Sequence, residues 1–277
     1  MLGVLLTGIS SAFNEISFSI GKRQVNDGAQ SYYTFGFLIQ FFSALFICAA
    51  GFLFNDLVFS PASFPTFGLR TLVAIVEMQL ATIAISKLDR GTFGFMHLLT
   101  IPFLLTIDLV LGYALRPLQI AGMGLIILPV LAFFFLERRE EKSGLWIAFS
   151  VAFLASIDIS LYKYDISHFN SVGAEQGILT LILSLYFFLT AVLIKKENPL
   201  LFLRRPVYFA QASASGVATV INSFAYLFAP ASVIASAFRG FSLLSSLLSG
   251  RLYFREKRLL LKVGLFAVIV LGLILLI

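Results

Sequence analysis

Ser11-Ala12-Phe13-Asn14-Glu15-Ile16-Ser17-Phe18-Ser19-Ile20-Gly21-Lys22 sets a carboxylate well inside the first apolar segment of a very apolar chain. Glu15 shares a helix face with Ser11, Ser19 and Lys22, at spacings of four and seven, so this segment predicts a membrane helix with one inward polar stripe. An ionisable group at bilayer depth costs roughly 2.5–3.5 kcal/mol on insertion scales and is read first as functional. Glu15-Ile16-Ser17 has an echo 143 residues later, Asp158-Ile159-Ser160, again deep in an apolar segment.

The surrounding composition leaves room for one class. Of 277 residues, 59% are hydrophobic and 12% charged, and the mean hydropathy is +0.97. A soluble domain carries about 25% charged residues, enough for a polar shell that this chain lacks. Long apolar runs, not short alternating ones, select helices over a β-barrel. Cys48 is the one cysteine, so no disulfide closes within the chain. The two histidines, His97 and His168, lack metal-ligand spacing. No Gly-rich phosphate loop, nucleophile elbow or nucleophile–base pair can be assembled, which argues against an enzyme, a cofactor or ATP as the drive. The N-terminus lacks a basic leader, so residues 1–20 read as an uncleaved first span. The formal charge of +6 is spread by topology and forms no patch for nucleic acid.

Windows of about 19 residues predict ten spans: 2–20, 34–54, 69–86, 92–114, 118–136, 144–162, 176–194, 208–228, 232–253 and 261–277. Turn chemistry marks the breaks, as in Asn26-Asp27-Gly28, Ser60-Pro61, Arg116-Pro117, Asn198-Pro199 and Ala229-Pro230. The expected organisation is a five-helix repeat over 1–136, a charged linker over 137–143 and a second five-helix repeat over 144–277. Five is odd, so the second repeat inserts upside down, the inverted-repeat plan of secondary transporters with a site near the midplane. Sixteen Lys and Arg residues follow odd-numbered spans, from Lys22, Arg23, Lys87 and Arg90 to Arg255, Lys257, Arg258 and Lys262; only Arg70, Arg116 and Lys163 lie on the other side. The positive-inside rule then makes the basic loops cytoplasmic and both termini non-cytoplasmic. A bacterial inner membrane is the expected setting, with the chain a monomer or homodimer.

At this point the chain resembles the drug/metabolite transporter superfamily in its ten-helix, EamA-like form. The resemblance covers essentially the whole chain. It rests on the first helix Glu15…Lys22, the short link Ala229-Pro230-Ala231-Ser232, the long ninth span ending at Arg255-Glu256-Lys257-Arg258, and the following Gly264. It implies a transporter of small metabolites or drugs, and a role for Glu15 like that of the first-helix glutamate that couples protons to export in four-helix relatives. The family usually keeps both termini in the cytoplasm, against the charge count here.

The candidate substrate and coupling residues are Glu15, Asp158, Arg239, His97, Asp108, Asn222 and Tyr226. Asp158 faces the same way as Tyr162, and an ordinary interhelical hydrogen bond is its alternative reading. Arg239 interrupts a small-residue stripe of Ser232, Ala235, Ser242, Ser246 and Ser249. A guanidinium cannot discharge, so it needs a carboxylate of the protein or an anion of the solute. His97 and Asp108, eleven residues apart, fall on one face of a continuous span four; the His is a proton relay or a satisfied interior donor. Glu77 reads as a structural partner of Arg70, and Gln40 and Gln211 as uncharged cavity lining. Together these predict alternating-access transport of a small organic solute, driven by an ion gradient or by exchange, with Glu15 as coupling acid. A flippase for a lipid-linked headgroup keeps the same fold. A non-transporting scaffold requires that every buried acid be paired and that no cavity exist.

Overall fold

The computed structural model describes residues 2–110, 117–136, 142–229, 231–255 and 259–276. The described residues are helical and carry no strand. In chain order the helices are α1 (Leu2–Asn26), α2 (Tyr32–Leu53), α3 (Phe64–Lys87), α4 (Arg90–His97), α5 (Thr100–Val110), α6 (Pro117–Leu136), α7 (Lys142–His168), α8 (Val172–Lys195), the single turn α9 (Pro199–Phe202), α10 (Pro206–Ala225), α11 (Ala231–Leu252) and α12 (Leu259–Leu276). Arg116, Pro230, residues 137–141 of the linker and Glu256-Lys257-Arg258 lie outside the described residues.

Six segments among the described residues are long and apolar enough to cross a membrane: Tyr32–Leu53, Pro61–Lys87, Arg90–Ile107, Ser143–His168, Val172–Lys195 and Ala231–Leu252. The architecture is that of a helical membrane-embedded protein. α1 and α10 fail the same test although they have 25 and 20 residues. The reason is local. α1 carries Ser10, Ser11, Asn14, Glu15, Ser17 and Ser19, and α10 carries Gln211, Ser213, Ser215 and Asn222. The two polar helices lie against each other, and Ser10 donates to the Ala218 carbonyl at 2.8 Å between them. A helix turned inward to other helices need not be apolar all round.

The main helix pairs are α2 with α8 and α10, α1 with α10 and α11, α3 with α7, and α6 with α12. Small residues let backbones approach where lipid supplies no drive for association. At Gly36, on α2, a Cβ would stand 2.4 Å from the Phe187 ring of α8. Gly36→Val is therefore expected to destabilise the protein by about 1–3 kcal/mol through overpacking. Equilibrium unfolding in mixed detergent measures this, and an unchanged midpoint would show that Phe187 yields freely.

One sequence expectation needs correction. Span four is not continuous: α4 ends at His97 and α5 starts at Thr100. Pro102 has no N–H to give the Leu98 carbonyl, which instead accepts from Ile101 at 3.0 Å. Leu98 and Leu99 likewise bond three residues back, to Phe95 and Met96 at 3.2 Å. The tightened turn interrupts the α-helical ladder between His97 and Asp108, so their eleven-residue spacing no longer counts as three unbroken α-turns. Asp108 lies on α5; its side chain is outside the described ones.

Candidate functional site

Helix α3 serves as a ruler through the molecule. Arg70 near its start and Ile85 near its end are 15 residues apart, about 22 Å at 1.5 Å per residue. Glu77 is halfway. Each of these levels holds polar groups, and each is closed by different neighbours.

At the Ile85 end, the Lys22 ammonium of α1 reaches the last carbonyls of α3. It donates to Ile85 at 3.3 Å and to Leu88, where a cation meets the negative end of the helix dipole. Just inward, Glu15 accepts from Arg90 at the start of α4, from Nε at 3.0 Å and Nη2 at 2.6 Å. Ser19, one turn on, donates to the same carboxylate at 2.9 Å, and Ser249 of α11 donates to it as well. Arg90 also lies 5.4 Å from the Phe18 ring centroid and 5.8 Å from that of Phe93. A fork-to-fork pair with added hydroxyl donors is the strong form of a buried ion pair. The stripe of small residues on α11 makes this possible. Gly94 of α4 meets Ser246 so closely that a Cβ there would stand 2.6 Å from its Oγ.

At the Arg70 end, a second knot forms. Arg70 is 2% exposed and donates from Nε to Asp158 at 3.1 Å, from Nη1 to Glu175 at 2.7 Å and from Nη2 to Gln176 at 2.8 Å. Its guanidinium carbon lies 4.4 Å from the Tyr162 ring centroid. Arg70 therefore does not pair with Glu77 as the sequence spacing implied; Asp158 of α7 and Glu175 and Gln176 of α8 take its three donors. Asn170 donates to Glu175 at 2.5 Å and to Ser63 at 2.9 Å. Thr66 donates to Asp165 at 2.5 Å.

Between the two knots lies a cavity of about 150 Å³. Ser11, Asn14 and Glu15 of α1, Glu77 and Thr82 of α3, Arg90 and His97 of α4, and Arg239 and Ser242 of α11 bring the polar groups to its wall, with Phe18, Phe93 and Phe238 beside them. Arg239 donates from Nη1 to His97 Nδ1 at 3.2 Å. Its Nε is buried with no partner, and so are His97 Nε2, Ser242 Oγ and, nearby on α10, Asn222 Oδ1. Among the described residues no carboxylate lies within 4.0 Å of Arg239, and Glu77 carries neither a hydrogen bond nor an ion pair. Tyr226 stands just beyond, edge-on to Tyr162 at 5.5 Å, its carbonyl accepting from Lys163 at 2.9 Å. Gln211 is fully buried against Gln30, at 3.4 Å, away from this cavity. Gln40 is buried too and does not line it.

Glu15 also lines a wider groove of about 960 Å³ between the C-terminal halves of α1 and α11. That groove runs past Ser19, Ser245 and Ser249 to Arg23, Asp27 and Arg255, with Ile16, Leu248 and Leu252 exposed along it. The Glu15–Arg90–Ser249 knot thus stands as the partition between a small enclosed space and a large open one.

The structure brings Glu15, His97 and Arg239 to one cavity and puts Asp158 in the knot beneath it. Glu175, Asp165 and Arg90 are the residues that the sequence reading missed as site groups. Glu175 falls one residue before the window 176–194, and Asp165 three after 144–162, so both lie outside the predicted spans. α7 in fact continues to His168 and α8 begins at Val172. The missed signal was Ser171, an N-cap type whose side chain accepts from the Ala174 amide and starts α8 before Glu175.

No family model and no curated protein matches the sequence. A solved structure described only as "Crystal structure of protein" aligns over 98% of this chain and 95% of its own, with a TM-score of 0.71 and 13% identity. At that identity the likeness shows the fold alone.

Proposed function

We propose that this chain is a secondary transporter that moves a small organic solute by alternating access, on the ten-span plan of the drug/metabolite transporter superfamily. The observation that carries the reading is the cavity with Arg239 on its wall, its Nε buried without a hydrogen bond and no carboxylate within 4.0 Å among the described residues. A buried guanidinium with no carboxylate in direct contact leaves room for an anion from outside, and Glu77, which faces Arg239 across the cavity without touching it, offers a place for a cationic group. The solute is then small and bears an anionic group. A cavity of about this volume takes a molecule of benzene's size.

Two further features support the plan. Let residues 1–136 and 144–277 be paired helix for helix: α1 with α7, α2 with α8, α3 with α10, α4 and α5 with α11, α6 with α12. The exchange turns the α1–α10 contact into α7–α3, and α1–α11 into α7 with α4 and α5; both exist. The α2–α8, α4–α11 and α6–α12 contacts map onto themselves. The break after His97 fits as well, since interrupted helices near the midplane are where such transporters build their sites. Lys22, Lys87, Arg90, Arg251 and Arg255 gather at the helix ends on the Glu15 side, in keeping with a cytoplasmic face there.

Glu15 takes a different role from the titrating acid that its depth alone implied. Held by Arg90 and two serines, it closes the cavity toward the groove, and the Arg70 knot lies beyond Glu77 on the other side. Opening one knot while the other stays shut is alternating access in residue terms. The exposed rim of Ile16, Leu248 and Leu252 favours a second reading, a flippase that admits an amphiphile sideways through the groove. A scaffold is disfavoured by the cavity and by the unpaired Glu77.

The test is uptake into proteoliposomes of a library of small acids, zwitterions and neutral metabolites, beside a fluorescent-lipid scrambling assay on the same vesicles. Saturable uptake of a solute with an anionic group is expected. Lipid movement without any uptake would replace the transporter by the flippase, and neither activity would remove both. Glu15→Gln should abolish uptake by loosening the partition; undiminished uptake by that variant would show that the knot is no gate.

A further inference from the structure

Asp165 is the buried acid that the transport reading leaves unused. It sits on the last turn but one of α7, with an exposure of 0%. Its Oδ1 accepts from Thr66 at 2.5 Å, while Oδ2 is buried with no hydrogen-bond partner. Asn170 ties it to Glu175, its backbone N–H donating to the Asp165 carbonyl at 2.9 Å and its Nδ2 to the Glu175 carboxylate at 2.5 Å, which makes the two acids neighbours. The obvious cation for the pair is already committed, because the three nitrogens of Arg70 go to Asp158, Glu175 and Gln176. The other charged and titratable neighbours do not neutralise Asp165. Lys163 points to the Tyr226 carbonyl, His168 is exposed with Nδ1 on the Tyr164 carbonyl, and Asp56 accepts from the Gly173 amide. Tyr162 is spent on the Ser223 carbonyl.

With every acid ionised, one guanidinium would serve three neighbouring carboxylates, the partly exposed Asp158 and the buried Asp165 and Glu175. Two neighbouring buried carboxylates without a cation between them cannot both stay charged. One proton on Asp165 Oδ2, donated to the Glu175 carboxylate, removes the repulsion and satisfies the orphan oxygen at once. We propose that Asp165 and Glu175 share a single exchangeable proton and form a proton-binding site at the face opposite Glu15. The site stands on this geometry and not on the transport reading. Where transport holds, it is the place at which a coupling proton enters. Losing that proton would set Asp165 in competition with Asp158 for Arg70, and Asp158 lies within electrostatic reach of both Glu77 and Arg239.

The experiment is infrared titration of the full-length protein in lipid nanodiscs, with no solute present. Aspartate labelled with carbon-13 separates an aspartic-acid C=O stretch from that of a glutamic acid such as Glu77. The expected result is an aspartic-acid band at neutral pH that shifts in heavy water, vanishes on alkaline titration, and is lost completely in Asp165→Asn. The amide of that variant can donate to Glu175 in place of the proton, so it should fold. Should it not, Asp165→Glu must take the band out of the aspartate-labelled set, while Asp108→Asn must keep it. Absence of the band from the wild type, its survival in Asp165→Asn or Asp165→Glu, or its loss in Asp108→Asn would overturn the site. None of these results depends on whether any solute is carried.

Discussion

Arg70→Ala is expected to be the most damaging single substitution, destabilising the protein by about 3–5 kcal/mol, because it strands acids in a buried site without their cation. Asp158 and Glu175 are 18% and 0% exposed at the side chain, so water reaches the first sparingly and the second not at all. The loss should appear as a lowered unfolding midpoint in mixed detergent. Arg70→Lys should recover part of it, since an ammonium restores the charge but cannot serve three acceptors in a plane. A sharper check removes the stranded charges together with the cation. The triple variant Arg70→Met, Asp158→Asn, Glu175→Gln should be markedly more stable than Arg70→Ala, following the rule that an intact buried ion pair adds little over well-packed neutral groups. Wild-type stability of Arg70→Ala, or no rescue in the triple variant, would mean that the knot is not held by charge.

Arg239→Ala is expected to do the opposite. Arg239 has His97 as its one hydrogen-bond partner among the described residues and touches no carboxylate, so its removal forfeits about one hydrogen bond, near 1 kcal/mol, and only a longer-range attraction to Glu77. The fold should survive with a midpoint close to the wild type. Binding should not. Deleting one partner of a desolvated charge pair costs about 2–5 kcal/mol of affinity, roughly 30-fold to several thousand-fold at 1.4 kcal/mol per decade. Solute-induced thermal stabilisation and uptake should fall together by that factor. Arg239→Lys should retain part of both. Unchanged uptake in Arg239→Ala would take the anion site away from this residue, and collapse of the fold would make the guanidinium structural.

The two arginines show where reading the chain alone stops. Both lie in apolar spans, and both demand an anion. Nothing in their flanking residues tells which one the protein itself supplies. For Arg70 the nearest acid in sequence, Glu77, is the wrong partner. The true ones are 88 and 105 residues away, on α7 and α8.

Composition and periodicity determined the membrane class, the helical content, and the approximate places of the helices, because these follow from transfer free energy and backbone hydrogen bonding summed over twenty residues at a time. The polar stripe of α1, with Glu15, Ser19 and Lys22 on one face, was legible for the same reason: a helix repeats every 3.6 residues whatever surrounds it. Pro102 was visible as well, although only the structure showed that it parts α4 from α5. What the tertiary structure alone decided is pairing. It set Glu15 against Arg90 and Ser249, left Arg239 with a histidine and a cavity, and brought Asp165 to Glu175. A buried charge takes its character from groups within about 4 Å, and in a helical membrane protein those groups arrive from helices far apart in the chain.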